Sequence, residues 1–367
     1  MKNILSYMEW RGDLSLKSFP LNEVDIAVLS RLAYIDFSGI VSSSFEEKIS
    51  AGDAADRFLS FPDAVNRIYR GSDLAMLKKI SSSPRFSNLL LCGYISQWDE
   101  NAEKQFAAIS ITVDSHTVCI SYRGTDNTLL GWKEDFNMGF SCPVPSQTAA
   151  VDYLSRASSV LRGRIIVTGH SKGGNLAMYA SAFCRPGIQR RIVKVYNFDG
   201  PGFEESIINS EGYRNVKNKI MAFIPQSSVV GMLLFHGEEL KVIRSLEKPG
   251  LPQHNLYSWE VIRDSFNELE EVTMHSKFVD ETLKSWVGSM EPSQREAFVN
   301  IMYELICDTG ARTLDDLGNR RSEKLISFLS SLKELDEESK NIISDSITLL
   351  MESARKARHD ETVKVFL

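Results

Sequence analysis

Residues 164–180, Arg-Ile-Ile-Val-Thr-Gly-His-Ser-Lys-Gly-Gly-Asn-Leu-Ala-Met-Tyr-Ala, constrain the fold more than any other stretch. Ile165 to Val167 is a short β-branched run, the mark of a buried strand. Gly169-His170-Ser171-Lys172-Gly173 follows as a G-x-S-x-G turn, with Gly174 behind it. Leu176, Ala177, Ala180 and Phe183 then recur at helical spacing. Strand, serine turn and helix form the context of a nucleophile elbow, in which a strained turn lifts the serine hydroxyl clear of the sheet. Gly169 and Gly173 flank the serine because a Cβ there would collide with the neighbouring backbone. A Gly-rich turn whose serine merely caps the helix is the plainer alternative.

The 367 residues suffice for an α/β core and an accessory module. A net charge of −6 without a basic stripe argues against nucleic-acid binding. The short Arg190-Arg191 and Arg320-Arg321 pairs and the Arg355-Lys356-Ala357-Arg358 cluster read as solvated faces. The N-terminus lacks the apolar core of a signal peptide, and Val229 to Phe235 is too short to span a bilayer. Five scattered cysteines, odd in number and without C-x-x-C pairing, point to core thiols in a reducing compartment. The expectation is a cytoplasmic protein with no transmembrane segment and no metal or organic cofactor.

Helices are expected over 21–34, 45–57 and 61–82, before strands at Leu89–Ser96, Gln105–Val113 and Thr117–Tyr122. A loop from Arg123 precedes a helix over Ala149–Leu161 and the serine turn. Strands at Ile192–Phe198, Lys219–Ile224 and Leu240–Ile243 follow, with a short helix at Glu204–Ile208. From about Met274 the texture is charged and helical, with apolar positions such as Trp286, Ile301, Phe328 and Ile343. This pattern predicts an α/β fold with a C-terminal helical region. The expected division is a domain over 1–274, which includes the N-terminal helices of 20–82, and helices over 275–367. Those helices are expected to dock on the sheet, bind a protein partner or self-associate.

A serine hydroxyl needs a base to take its proton, and the base needs an acid to orient it. Asp199 ends the next strand, where catalytic loops of open α/β sheets lie, and capping the following turn is its structural alternative. Of His236, His254 and His275, His254 alone sits after the last expected strand and before a helix expected near Ser258. That position makes it the candidate base, in the chain order Ser, Asp, His. The oxyanion donors would be the Lys172 amide and, from the Arg123-Gly124-Thr125 loop, Thr125 through its amide and hydroxyl. Val229, Met232 and Leu233 lie in an apolar run expected to line a pocket or form a lid, or else to pack as a buried helix. The Lys172 ammonium is expected to attract an anionic group or to pair with Glu204 or Glu205.

Tyr122-Arg123-Gly124-Thr125 with Trp132 and Asp135, then Gly169-His170-Ser171-Lys172-Gly173-Gly174-Asn175-Leu176-Ala177, resembles the class 3 lipase pattern. From about residue 5 to 310 the chain looks like a bacterial lipase-like α/β-hydrolase family known mainly as a domain of unknown function. Residues 224–234 and 253–259 carry that likeness. The resemblance implies Ser171 as nucleophile, His254 as base, Thr125 as oxyanion residue and Asp135 as a structural residue behind the loop. It departs at the acid: class 3 lipases commonly carry theirs in a D-x-V-P segment, where this chain reads Ser228-Val229-Val230-Gly231. Asp199-Gly200-Pro201 instead resembles the acid of pancreatic-type lipases. The function implied is hydrolysis of a carboxylic ester, thioester or lipid-like substrate. An amidase, peptidase or acyltransferase with the same triad, and a catalytically silent interaction module, are the alternatives.

Overall fold

The computed structural model describes residues 2–126, 128–139, 142–311, 313, 316 and 321–366. Eight strands form most of a nine-stranded mixed sheet: β1 (Ile49–Ser50), β2 (Leu90–Asp99), β3 (Lys104–Asp114), β4 (Thr117–Tyr122), β5 (Arg164–His170), β6 (Ile192–Phe198), β7 (Ile220–Pro225) and β8 (Leu240–Ile243). They lie side by side in chain order, and β4 to β8 are mutually parallel. The β3–β4 hairpin is antiparallel and turns at Ser115-His116, between the two expected strands.

A parallel sheet in strict chain order has a consequence for its two faces. Right-handed crossovers place every connecting helix on one side. Here these are α6 (Pro145–Val160) and α7 (Lys172–Phe183), and the inward side chains include Tyr122, whose hydroxyl donates to Ala150 O at 2.8 Å. The opposite face carries Cys119, Ile166, Phe198, Phe223 and Ile243 and has no crossover helix to cover it. The N-terminal helices supply the cover. Helices α1 (Ile4–Arg11), α2 (Glu23–Leu32), α3 (Ala51–Leu59) and α4 (Gly71–Ser82) share one core with that face. Asn22 caps α2 through a reciprocal capping box with Asp25. The Asp25 carboxylate is buried and is neutralised by Arg85, whose guanidinium also donates to the carbonyls of Leu14, Phe19 and Pro20.

Several boundaries differ from the sequence expectation. Residues 45–57 split into β1 and α3, and 61–82 into a short 3-10 turn at Ala64–Arg67 followed by α4. No helix starts near Ser258. A 3-10 turn at Leu256–Ser258 leads into short strands β9 (Val261–Ile262), β10 (Ser265–Phe266) and β11 (Glu268–Leu269). Alternate burial of Trp259, Val261 and Phe266 has a strand's period, and Arg263 turns the hairpin at φ +57°. Leu240–Ile243 is therefore not the last strand, because β11 pairs antiparallel on its outer edge.

The chain divides into two compact units. The first comprises 1–98, 105–124 and 145–272; the second comprises 99–104, 125–144 and 273–367. The second is helical. Its α11 (Met274–Gly288) and α12 (Pro292–Asp308) are joined by helices Arg321–Glu334 and Glu337–Phe366 around Ile301, Leu305 and Ile343. The loop expected after Arg123 contains helix Leu129–Asn137 of this unit, started by a Thr128 cap. Among the described residues no helix is long and apolar enough to cross a membrane, and no cluster of side chains is placed to hold a metal ion.

Candidate active site

Three strand ends on the C-terminal edge of the parallel sheet build the site. Ser171 follows β5 with φ +59° and ψ −136°, a strained conformation for a residue with a Cβ. Its amide donates to Phe198 O at 2.9 Å, and its carbonyl accepts from Gly174 N at 2.8 Å. The hydroxyl does not cap α7, so the plainer reading of the motif is not the one adopted. The flanking glycines are obligatory here. A Cβ on Gly169 would lie 2.1 Å from the Gly173 backbone, and one on Gly173 would lie 2.2 Å from Tyr122 O. Gly174 is confined as tightly, against the Asn197 side chain.

Asp199 leaves β6 at φ +51° and is fully buried. One carboxylate oxygen, Oδ2, lies 2.6 Å from His254 Nδ1. The other, Oδ1, accepts from Ser228 Oγ at 2.6 Å and Gly231 N at 3.1 Å. The segment Ser228–Gly231 thus supplies hydrogen bonds to a carboxylate located one strand earlier. Every oxygen of the carboxylate is directed, and His254 is one of its partners.

His254 sits in a short 3-10 turn, Leu251–His254, entered through Gly250 at φ +87°. Its neighbour Gln253 is tied on both sides: its Oε1 accepts from Ser227 N, its Nε2 donates to Glu247 O, and its carbonyl accepts from buried Trp259 Nε1. The His254 side chain is 19% exposed against 0% for Asp199, so one edge of the imidazole reaches solvent while the other is anchored.

His170 is more than the x residue of the elbow. Its Nε2 lies 2.8 Å from the His254 carbonyl, its Nδ1 lies 3.0 Å from the Tyr34 hydroxyl, and the two imidazoles stand 4.5 Å apart. Burial, reinforced by the His254 ring and Arg31, pushes its pKa well below the ordinary 6.5 and keeps it neutral. No sequence signal marked Tyr34, and Ser228, Gly231 and Gln253 fell within the family-like segments 224–234 and 253–259 without a role assigned to them.

The other expected residues are placed as follows. Lys172 is buried, and its ammonium donates to Gln105 O at 3.1 Å and Gln105 Oε1 at 3.2 Å. Its ammonium is thus turned inward to β3 rather than to Glu204 or Glu205. Thr125 belongs to the second unit, where its hydroxyl donates to Asp135 Oδ2 at 2.5 Å. The hydroxyl hydrogen is thereby committed to Asp135. Val229, Met232 and Leu233 are half-buried rather than packed in a helix beneath the sheet. Their segment is held at its start by Asp199 and further on by the paired backbones of Phe203 and Phe235. His236 pairs with Glu238 instead of Asp199, and His275 is exposed.

Fold and site define a mixed α/β protein with a serine on a strained strand-to-helix turn and an aspartate–histidine pair at the same sheet edge. Residues 80–304, more than half of the chain, match the family described as Mbeg1-like, and the chain belongs to that family. No curated protein matches the sequence. Among solved structures, a crystal structure of M37 lipase is similar over 56% of this chain and 68% of that one, at 11% identity and a TM-score of 0.36. A likeness that distant adds nothing to the geometry above.

Proposed function

We propose that this chain is a serine hydrolase of α/β-hydrolase type that cleaves carboxylic esters or thioesters through an acyl-enzyme. The observation that carries the proposal is the 2.6 Å contact between His254 Nδ1 and the fully buried Asp199 carboxylate, at the edge where Ser171 stands in strained geometry. Ser171 Oγ attacks the acyl carbon while His254 Nε2 takes its proton, and Asp199 holds the resulting imidazolium in place. The same proton then passes to the departing alcohol or thiol. Water, deprotonated by His254, attacks the acyl-enzyme and releases the acid, which restores the serine. The Lys172 amide is a proposed oxyanion donor, worth on the order of 10²–10³ in rate.

The half-buried run that includes Val229, Met232 and Leu233 is assigned to the acyl chain, since it is apolar and begins at the triad acid. Scattered and odd-numbered cysteines favour a cytoplasmic enzyme.

A fluorophosphonate probe tests the proposal directly. Wild-type protein should be labelled on Ser171, and Ser171→Ala should remain folded, unlabelled and inactive toward p-nitrophenyl esters. Unlabelled wild-type protein, or a Ser171→Ala variant that turns over esters at the wild-type rate, would refute it. Turnover of peptide substrates in preference to esters and thioesters would redirect the assignment to an amidase.

A further inference from the structure

We infer that Tyr34 and His170 are positioning residues for the base: together they hold the His254 loop from beneath the elbow. The inference rests on the hydrolase reading for its catalytic consequence, but its structural half stands alone.

The argument begins with protons. The His254 carbonyl can only accept, so the 2.8 Å contact requires that His170 Nε2 carry the hydrogen. A second hydrogen on Nδ1 would make a buried imidazolium, which this environment disfavours. Nδ1 is therefore the bare nitrogen, and the Tyr34 hydroxyl donates to it at 3.0 Å. The Tyr34 oxygen in turn accepts from Gly124 N at 3.2 Å. The single Tyr34 hydrogen also has the His170 carbonyl within reach at 3.1 Å, whereas moving the imidazole hydrogen from Nε2 to Nδ1 would leave two acceptors facing each other at the His254 carbonyl.

The chain of bonds joins the three parts that must keep register for a serine attack. Gly124 lies at the start of the loop after β4, His170 precedes the nucleophile on β5, and the His254 carbonyl belongs to the base itself. Tyr34 is fixed from its far side by Arg31, whose guanidinium carbon lies 3.8 Å from the ring centroid. Arg31 is in turn locked by a buried bidentate pair with Asp73, and Asp73 accepts from the Tyr257 hydroxyl at 2.7 Å, three residues past the base. The His254 turn is thus gripped at its carbonyl by His170 and at Tyr257 by Asp73. The assembly acts through His254, which His170 meets at its carbonyl and across its ring.

The test compares the full-length wild type with His170→Phe, His170→Gln and Tyr34→Phe. Phenylalanine keeps a ring at 170 without a donor, glutamine restores an N–H near the original Nε2, and Tyr34→Phe removes a single hydroxyl with little change of volume. Three readouts are taken: the kcat and KM for p-nitrophenyl acetate, the fluorophosphonate labelling rate, and hydrogen exchange of the peptide spanning 250–257. His170→Phe should lose about 10–10²-fold in kcat, the scale of a small misplacement of a catalytic group, with KM changed less than about twofold. Exchange over 250–257 should accelerate in the same variant. His170→Gln should recover most of both losses, and Tyr34→Phe should fall between. Wild-type kcat and exchange in His170→Phe and Tyr34→Phe would overturn the inference, as would a glutamine variant no better than phenylalanine. If wild-type protein is not labelled at all, the hydrolase reading fails, and the exchange data still decide whether His170 holds the loop.

Discussion

Gly231→Ala offers the most exacting test of the proposed triad acid, because it perturbs Asp199 without replacing any residue proposed to react. A Cβ on Gly231 would lie 2.2 Å from Asp199 Oδ1 and 2.6 Å from Ile224 Cγ2. Ordinary contact begins at 3.4 Å, so the carboxylate or the Gly231 backbone must retreat by more than an ångström. Ile224 blocks the backbone's escape, and Ser228 Oγ stands 3.1 Å from the same point, which leaves the carboxylate as the group to move. A displacement of that size breaks the 2.6 Å bond to His254 and the bond from Gly231 N. The expected kinetic cost is about 10²-fold in kcat at nearly constant KM, the scale associated with a 1 Å misplacement. The overpacking cost is about 1–3 kcal/mol, or a few degrees in Tm. Steady-state hydrolysis of p-nitrophenyl acetate and a thermal melt read the two effects separately. A variant with wild-type kcat and a reduced Tm would show that Asp199 can leave its position without consequence, and would remove it from the triad.

Asp199→Asn should preserve the contact's shape while allowing the wrong His254 tautomer, and a loss approaching ~10⁴ in kcat is expected from the loss of this role in serine triads. Asp73→Ala strands the buried Arg31 guanidinium and should cost about 3–5 kcal/mol of stability in a urea melt, whereas the double change Arg31→Met with Asp73→Leu should cost much less. Leu233→Asp should raise KM for long-chain esters far more than for acetate esters; equal losses on both would remove the run from the acyl pocket. Because burial holds the folded-state pKa of His170 well below 6.5, the unfolded chain binds a proton there that the folded chain refuses, and stability falls as the pH drops below about 6.5. His170→Gln should therefore flatten the decline in unfolding free energy between pH 7 and pH 5 by up to about 1.4 kcal/mol per pH unit, and an unchanged slope would contradict the neutral buried assignment.

The motif-bearing part of the site was legible because its residues fall at fixed short spacing. The strand before Ser171 and the helix after it show local periodicity, and the glycines recur around the serine even though Gly173 and Gly174 answer to Tyr122 and Asn197 on neighbouring strands. Asp199 and His254 were legible one step less directly, through their places after strands whose order could be guessed. Ser228 and Gly231 were not, since their value lies in a carboxylate about thirty residues away that no local pattern encodes. The Lys172 side chain was misjudged for the same reason: its partner, Gln105, comes from β3, and only the packed sheet brings the two together. The helix expected near Ser258 failed on period, because Trp259, Val261 and Phe266 fit either reading until their common burial against the sheet is seen.

The N-terminal helices owe their importance to the strand order. A parallel sheet laid down in sequence leaves one face bare, and in this chain residues 4–82 form the layer that covers it. That layer also passes directly beneath the strand ends where Ser171, Asp199 and His254 emerge. A cover made only of aliphatic packing would bury the face equally well. Instead it places Arg31, Tyr34 and Asp73 there, all with their polar groups buried and all with partners in or beside the site. Buried ion pairs seldom stabilise a fold more than apolar residues of the same shape, so stability alone gives no reason for this choice. A network with fixed donor directions does supply what aliphatic packing lacks, namely a single register for the loop that carries the base. The same elements that complete the core are therefore the ones that contact the proposed base, and cutting the chain before residue 80, where the family match begins, would remove the cover and these contacts at once.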